Sequence, residues 1–339
     1  YPQKLWRLSA MRDGRLIGRA GSHLWSYIYD PNTDKPAWLG SMAALEQFAP
    51  AVIHPNGLVY MAGYSGGPLF QYDPRKPWTA EVVHEPGQKP IPLESPDSNP
   101  RLLVRYHEHN LCKVINGTAL GADGNLYLGG GVIREGEGGA FGWWDIEKAQ
   151  AGVLPRETFY GFTVTDLGTA FNGENIVIST RTTYNEGTKK REEVAKLFVF
   201  DIRTKKIAAE YMPVSDAQAF SRMIEVAPGR LMGACMRVGW QEHAGGQPDK
   251  PDVLFVFDLN KGEVVLQQEL PAPIWAFPRG YRDGQHFELG PDGRIWSYVG
   301  AQREAPVLAR IDPQTGEVQL IGRVDGLGPL AFVGRDLYR

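Results

Sequence analysis

The chain of 339 residues is 42% hydrophobic and has a net charge of −3, which allows a large core and supplies no basic footprint for nucleic acid. No apolar run approaches the roughly 18 residues of a membrane-spanning helix. The start at Tyr1 rather than Met sets the expectation that an upstream segment has been removed and that the protein is secreted or periplasmic.

In chain order, one phrase recurs: a Gly-centred turn followed by a short apolar strand. It appears as Asp13-Gly14-Arg15-Leu16-Ile17, Asn56-Gly57-Leu58-Val59-Tyr60 and Asp123-Gly124-Asn125-Leu126-Tyr127. Later copies are Asn172-Gly173-Glu174-Asn175-Ile176, Pro228-Gly229-Arg230-Leu231-Met232, Asp292-Gly293-Arg294-Ile295-Trp296 and Gly334-Arg335-Asp336-Leu337-Tyr338. After each of the first six comes an aromatic strand closed by Asp: Leu24 to Asp30, Leu69 to Asp73, Phe141 to Asp145, Leu197 to Asp201, Leu254 to Asp258 and Leu308 to Asp312. Aromatic and β-branched residues alternate in these strands, as they do where both faces of a sheet are packed. The closing Asp suits the first position of a β-turn, where its carboxylate accepts backbone N–H bonds and Pro readily follows, as at Asp73-Pro74 and Asp312-Pro313. These carboxylates are therefore turn residues and not catalytic acids.

The sixth copy shows a full set of four strands, His286 to Leu289, Arg294 to Tyr298, Val307 to Ile311 and Val318 to Arg323, and Gly328 to Tyr338 supplies two more. Repeats of roughly 40–50 residues made of short strands give an all-β architecture, a β-propeller, here a single domain over residues 1–339. The expectation is seven four-stranded blades, the last half blade being completed by N-terminal residues or a missing segment. A six-bladed ring with a displaced tail is the alternative. Helix is nearly absent, apart from one turn at Ser41 to Gln47. Cys112 and Cys235 fall in different repeats and read as buried free thiols rather than a disulfide. Asn116-Gly117-Thr118 matches a glycosylation sequon but begins an inner strand, so the match is accidental.

The stretches Gly290-Pro291-Asp292-Gly293-Arg294-Ile295-Trp296 and Gly121-Ala122-Asp123-Gly124-Asn125-Leu126-Tyr127 resemble repeats of the NHL, gluconolactonase-like and streptogramin-lyase-like propellers. The resemblance spans nearly the whole chain, lies in strand and turn residues, and implies the fold rather than an activity. The carboxylate and Asn metal ligands of the gluconolactonase group, and the His and Glu pattern of streptogramin lyases, have no matching positions here.

In a propeller, the second-to-third strand loops and the blade-to-blade loops share one face, and sites sit on such loops. The second-to-third loops contain Arg19 and His23, Tyr64 and Ser65, Arg134 and Glu135, Arg181 and Tyr184, then Arg237, Trp240 and His243, then Tyr298 and Arg303. The blade-to-blade loops add Tyr106, His107, Glu108, His109, Tyr160, Arg222, Arg279, Tyr281, Arg282 and His286. Arg at this mouth suits carboxylates, sulfates or phosphates through its planar fork, and Tyr and Trp offer flat surfaces for sugar rings. Pairing of these Arg residues with loop carboxylates such as Glu135, Glu186, Glu242 and Glu304 is the alternative.

The segment Tyr106-His107-Glu108-His109 carries a His-x-His pair that, on an extended strand, presents two imidazoles to one side. That arrangement offers two ligands to a divalent metal, Zn or Ca, with a third from His286, His243 or His54. The same histidines suit proton transfer near neutral pH. The resulting expectation is a carbohydrate-active lyase acting on an acidic, uronate-containing saccharide. His107 or His109 acts as base, Tyr184 as proton donor, and Arg181, Arg237 and Arg303 hold the anion. Arg134, Trp240, His243, Tyr281, His286, Tyr298 and Tyr64 complete the binding surface, and the insertions at Tyr184 to Lys196 and Trp240 to Val253 wall it. No nucleotide cofactor is expected: Gly129-Gly130-Gly131 lacks the helix that a phosphate cradle needs. Gly63-Tyr64-Ser65-Gly66-Gly67 reads as a hairpin loop rather than as a nucleophile elbow, so Ser/His/Asp catalysis finds no support. A non-catalytic ring that binds protein, peptide or glycan is the alternative.

Overall fold

The computed structural model describes residues 5–20, 25–42, 47–48, 51–64, 66–83, 87, 89–109, 114–131, 138–182, 192–238, 250–270, 272–274, 287–300 and 305–339. Apart from three short 3₁₀ segments, its regular elements are strands.

The first unit is β1 (Leu5–Ala10), β2 (Leu16–Ala20), β3 (Trp25–Asp30) and β4 (Lys35–Ser41), paired antiparallel in that order. A short β5 (Gln47–Phe48) precedes the second unit, whose strands are β6 (Val52–Ile53), β7 (Val59–Tyr64), β8 (Pro68–Tyr72) and β10 (Arg101–Arg105). Between the last two, β9 (Val82–Val83) crosses to the first unit and pairs with β4. The third unit is β11 (Val114–Leu120), β12 (Leu126–Gly131), β13 (Ala140–Asp145) and β14 (Gln150–Val153). The fourth is β15 (Thr163–Ala170), β16 (Asn175–Arg181), β17 (Leu197–Asp201) and β18 (Lys206–Tyr211).

A two-residue strand, β19 (Ala219–Phe220), pairs with strands of both the fourth and fifth units. The fifth unit is β20 (Ile224–Ala227), β21 (Arg230–Met236), β22 (Val253–Asp258) and β23 (Glu263–Glu269). The sixth is β24 (Phe287–Leu289), β25 (Ile295–Val299), β26 (Val307–Ile311) and β27 (Val318–Arg323), and a hairpin of β28 (Ala331–Val333) and β29 (Asp336–Tyr338) follows. The fold is an all-β propeller.

The turn chemistry follows the sequence. All seven turn glycines, Gly14, Gly57, Gly124, Gly173, Gly229, Gly293 and Gly334, have φ between 59° and 90°, a region that a Cβ disfavours. All six closing aspartates accept backbone N–H bonds in their turns: Asp30 from Asn32, Asp73 from Arg75, Asp145 from Lys148, Asp201 from Arg203 and Thr204, Asp258 from Asn260, and Asp312 from Gln314 and Thr315. Donation from the Thr204 and Gln314 amides, respectively, is the main force holding the carboxyls of Asp201 and Asp312 below the usual range.

Period-two alternation sends neighbouring side chains of one strand into different interfaces. In β7, Val59 and Met61 pack with the first unit, while Tyr60 and Ala62 pack with the third. In β21, Leu231 and Cys235 face the fourth unit, while Met232, Ala234 and Met236 face the sixth. Each pair of neighbouring units is joined by such an apolar cluster. The hairpin sits in the series too: Leu330 and Leu337 pack with Tyr298 and Trp296 of the sixth unit, while Ala331, Val333 and Tyr338 pack with Leu8, Leu16 and Tyr27 of the first. The hairpin therefore closes the ring.

Cys235 is a buried free thiol, as expected; Cys112 lies outside the described residues. Asn116 is half-buried on β11, and its side-chain amide donates to Val164 O at 2.7 Å, as suits an inner strand. Of the segment expected to form a helical turn at 41–47, the described ends belong to β4 and β5, and the middle lies outside the described residues.

Candidate functional site

The Gly turns and Asp turns share one face of the ring. Leu259 N–H donates to Gly229 O at 2.8 Å, Ile146 N–H to the Asn125 side chain at 3.1 Å, and Arg294 binds Asp312. The second-to-third strand loops and the unit-to-unit connections accordingly emerge on the opposite face.

The first strand of each unit surrounds the axis, and three consecutive units bring charge together there. Arg222, just before β20, lies 3.4 Å from the Glu288 carboxylate on β24. Asp166 on β15 supplies the third charge and accepts the N–H of Leu167 at 2.8 Å. The backbone at Arg222 is fixed by a run of hydroxyls. Ser179 donates to Ser221 O at 2.6 Å, and Ser221 donates to Arg222 O at 3.0 Å while accepting the Ala234 N–H at 2.8 Å. The Glu288 side chain is only 20% exposed. Loss of hydration pushes its carboxyl up to about 7; the Arg222 guanidinium opposes that rise and the Asp166 charge adds to it. A carboxyl that titrates near neutrality beside a guanidinium is equipped to move a proton and to hold an anion.

His107 and His109 both lie in a 3₁₀ segment, Tyr106–His109, and both are exposed. This corrects the extended-strand expectation. A 3₁₀ helix steps three residues per turn, so residues two apart point in different directions and do not form a ligand pair. His107 Nδ1 is instead 2.9 Å from Gly66 O, and the His109 ring lies 6.4 Å from that of Tyr106. No group of three or more His, Cys, Asp or Glu suited to a metal ion occurs among the described residues.

Arg237 contacts Asp216 at 3.0 Å and Glu269 at 2.6 Å, so two carboxylates of the protein occupy the fork expected to hold substrate. Tyr298 is fully buried on β25 against Leu330; it is a packing residue between the sixth unit and the hairpin rather than part of the mouth. Arg181 and Tyr64 end β16 and β7 at the expected loop positions and are half-buried. Tyr184, Arg134, Trp240, His243, Tyr281, His286 and Arg303 lie outside the described residues.

Asp166 and Glu288 are not among the residues that the sequence points to, because they lie on innermost strands, where the repeat predicts packing, and not in the mouth loops. The signal available was a single charged residue inside each of two otherwise apolar or small-residue strands. Arg222 was legible as a loop residue, but its partner was not.

No family model and no curated protein sequence matches the chain. Solved structures do match over nearly its whole length. A streptogramin B lyase structure is 12% identical with a TM-score of 0.59, covering 99% of this chain and 90% of its own. A catalytically inactive virginiamycin B lyase from Staphylococcus aureus with quinupristin is 10% identical, TM-score 0.60, over 99% and 90%. The Kuenenia stuttgartiensis hydrazine synthase is 12% identical, TM-score 0.62, over 97% and 89%. Among the described residues no helix is long and apolar enough to cross a membrane. What the chain shares with these proteins is the β-propeller fold.

Proposed function

We propose that the chain is a lyase-type enzyme acting on an acidic, uronate-containing saccharide at the mouth of the propeller channel. The observation that carries the proposal is the Glu288 carboxyl, raised toward neutral titration on an innermost strand with Arg222 beside it. Elimination next to a carboxylate needs a cation on that carboxylate and a base ionised at working pH. In this reading Arg222 and Arg181 hold the substrate anion. Glu288 takes the proton from carbon, the electron pair forms the double bond, and the bond to the leaving oxygen breaks. Tyr184, or His107 or His109, returns a proton to that oxygen. Streptogramin B lyase places a lyase on this fold, which supports the reaction class and leaves the substrate to the chemistry of the site. The same reading takes the ring as seven blades with the hairpin in the seventh position, supported by the closed series of apolar clusters.

Incubation with a panel of polyuronates, followed by ultraviolet absorbance of the unsaturated product, tests it. The rate is expected to rise with pH through about 7, as Glu288 ionises, and to fall at least about 100-fold in Glu288→Gln. Absence of product from every acidic glycan would leave a binding ring in place of an enzyme.

A further inference from the structure

The connection from β8 to β10 has no counterpart in the repeat. The equivalent link takes four residues in the first, third, fourth and fifth units and six in the sixth, but 28 here, residues 73–100. Connections of such length in a packed domain are usually functional loops, and this one has its own packing. Trp78, Ala80 and Leu93 are buried in the cluster between the first and second units. The Trp78 indole lies 5.5 Å from the Tyr72 ring and donates to Ala80 O at 3.0 Å.

Asn99 is the hub of the connection. It is 7% exposed; its amide oxygen accepts the Asp73 N–H at 2.8 Å, and its amide nitrogen donates to the carbonyls of Asp73, Lys76 and Pro77 at 3.0, 3.1 and 2.9 Å. The hub fixes the turn that carries Arg75 and Lys76. With Arg101 on β10, that turn walls a cavity of about 410 Å³ on the turn side of the ring, away from the mouth. A volume of this order suits a small ligand.

The charges in the wall select the sign of that ligand. Arg75 is spent on Asp73, with contacts of 2.7 and 3.1 Å. Among the described residues Lys76 makes no salt bridge, and Arg101 donates to the Gln71 amide oxygen alone, at 3.0 Å. Asp97 is the other carboxylate in the described lining, which leaves two cations facing one anion. We propose that this cavity is a second ligand site, taking a small polar molecule with an oxyanion group, with Lys76 and Arg101 as its anion contacts.

Titration calorimetry of the full chain with inorganic phosphate, glucose 6-phosphate and gluconate, with glucose as the neutral control, tests this. Expected is saturable binding of at least one anionic probe and none of glucose. Binding should weaken about tenfold or more in Lys76→Ala and in Arg101→Gln, and hold in Arg101→Lys and in Glu288→Gln. Phosphate-bearing probes alone binding identifies a phosphorylated ligand, and gluconate binding an organic acid. The proposal is overturned if no probe binds at millimolar concentration, or if both charge-removing variants bind as the parent does. Because Glu288 lies apart from this cavity, loss of the lyase reading leaves the outcome intact.

Discussion

At Glu288 desolvation outweighs the nearby Arg222 guanidinium, so the folded protein holds this proton through a range in which the unfolded chain, titrating near 4.5, has already released it. The stability linked to this group is therefore full below about 4.5 and is lost as pH rises to about 7. The loss amounts to no more than about 3 kcal/mol. Glu288→Gln removes the slope: urea unfolding at about pH 8 is expected to show the variant more stable than the parent, with the two converging at about pH 5. Equal pH dependence of both would place the carboxyl in water. At this scale the sequence was most legible where a residue's task is local. Gly293 and Asp312 announce their turns because φ and a nearby N–H decide them. Glu288 announces little beyond being a lone charge in a short apolar strand, since its behaviour comes first from burial in the assembled ring and then from Arg222 and Asp166, distant in the chain.

Elements reveal themselves by period, and the strands β17, β26 and β27 stand where alternation put them. The turns between them also depend on partners from other units. Phe171 and Asn172 hold φ of 52° and 55°, unfavourable for residues with a Cβ. Glu225 of the fifth unit accepts their N–H groups at 2.7 and 3.2 Å and that of Gly229 at 2.9 Å. One carboxylate thus restrains turns of two units. Glu225→Ala is expected to cost about 2 kcal/mol in denaturant unfolding, whereas a loss of only a few tenths would mean that water serves these amides equally well. The same dependence on neighbours explains the 3₁₀ form of Tyr106–His109. The His-x-His pair faces one side only on an extended strand, whereas here Tyr106 and His107 donate their N–H groups to Gly67 O and Gly66 O of the adjacent loop.

For the whole molecule, the ring was legible because one phrase recurs seven times; how it closes was not, because closure depends on contacts between the two ends of the chain. Leu330, 1% exposed, secures the hairpin to the sixth unit. Leu330→Ala is expected to cost about 2–4 kcal/mol, and hydrogen exchange should then quicken in β1 and β2 as well as in β25. Quickening confined to the sixth unit would show that the hairpin does not couple the ends. Along the ring, each unit is tied to the next by the chain itself, and β9 and β19 add hydrogen-bonded stitches at two of those junctions. Among the described residues, the hairpin meets the first unit through side chains alone, such as Tyr29 and Tyr338 at 6.2 Å between rings. Mechanically the molecule is a split washer. Among the described residues no backbone hydrogen bond crosses that joint, so a force that spreads the rim is expected to part it first, before any described sheet unzips.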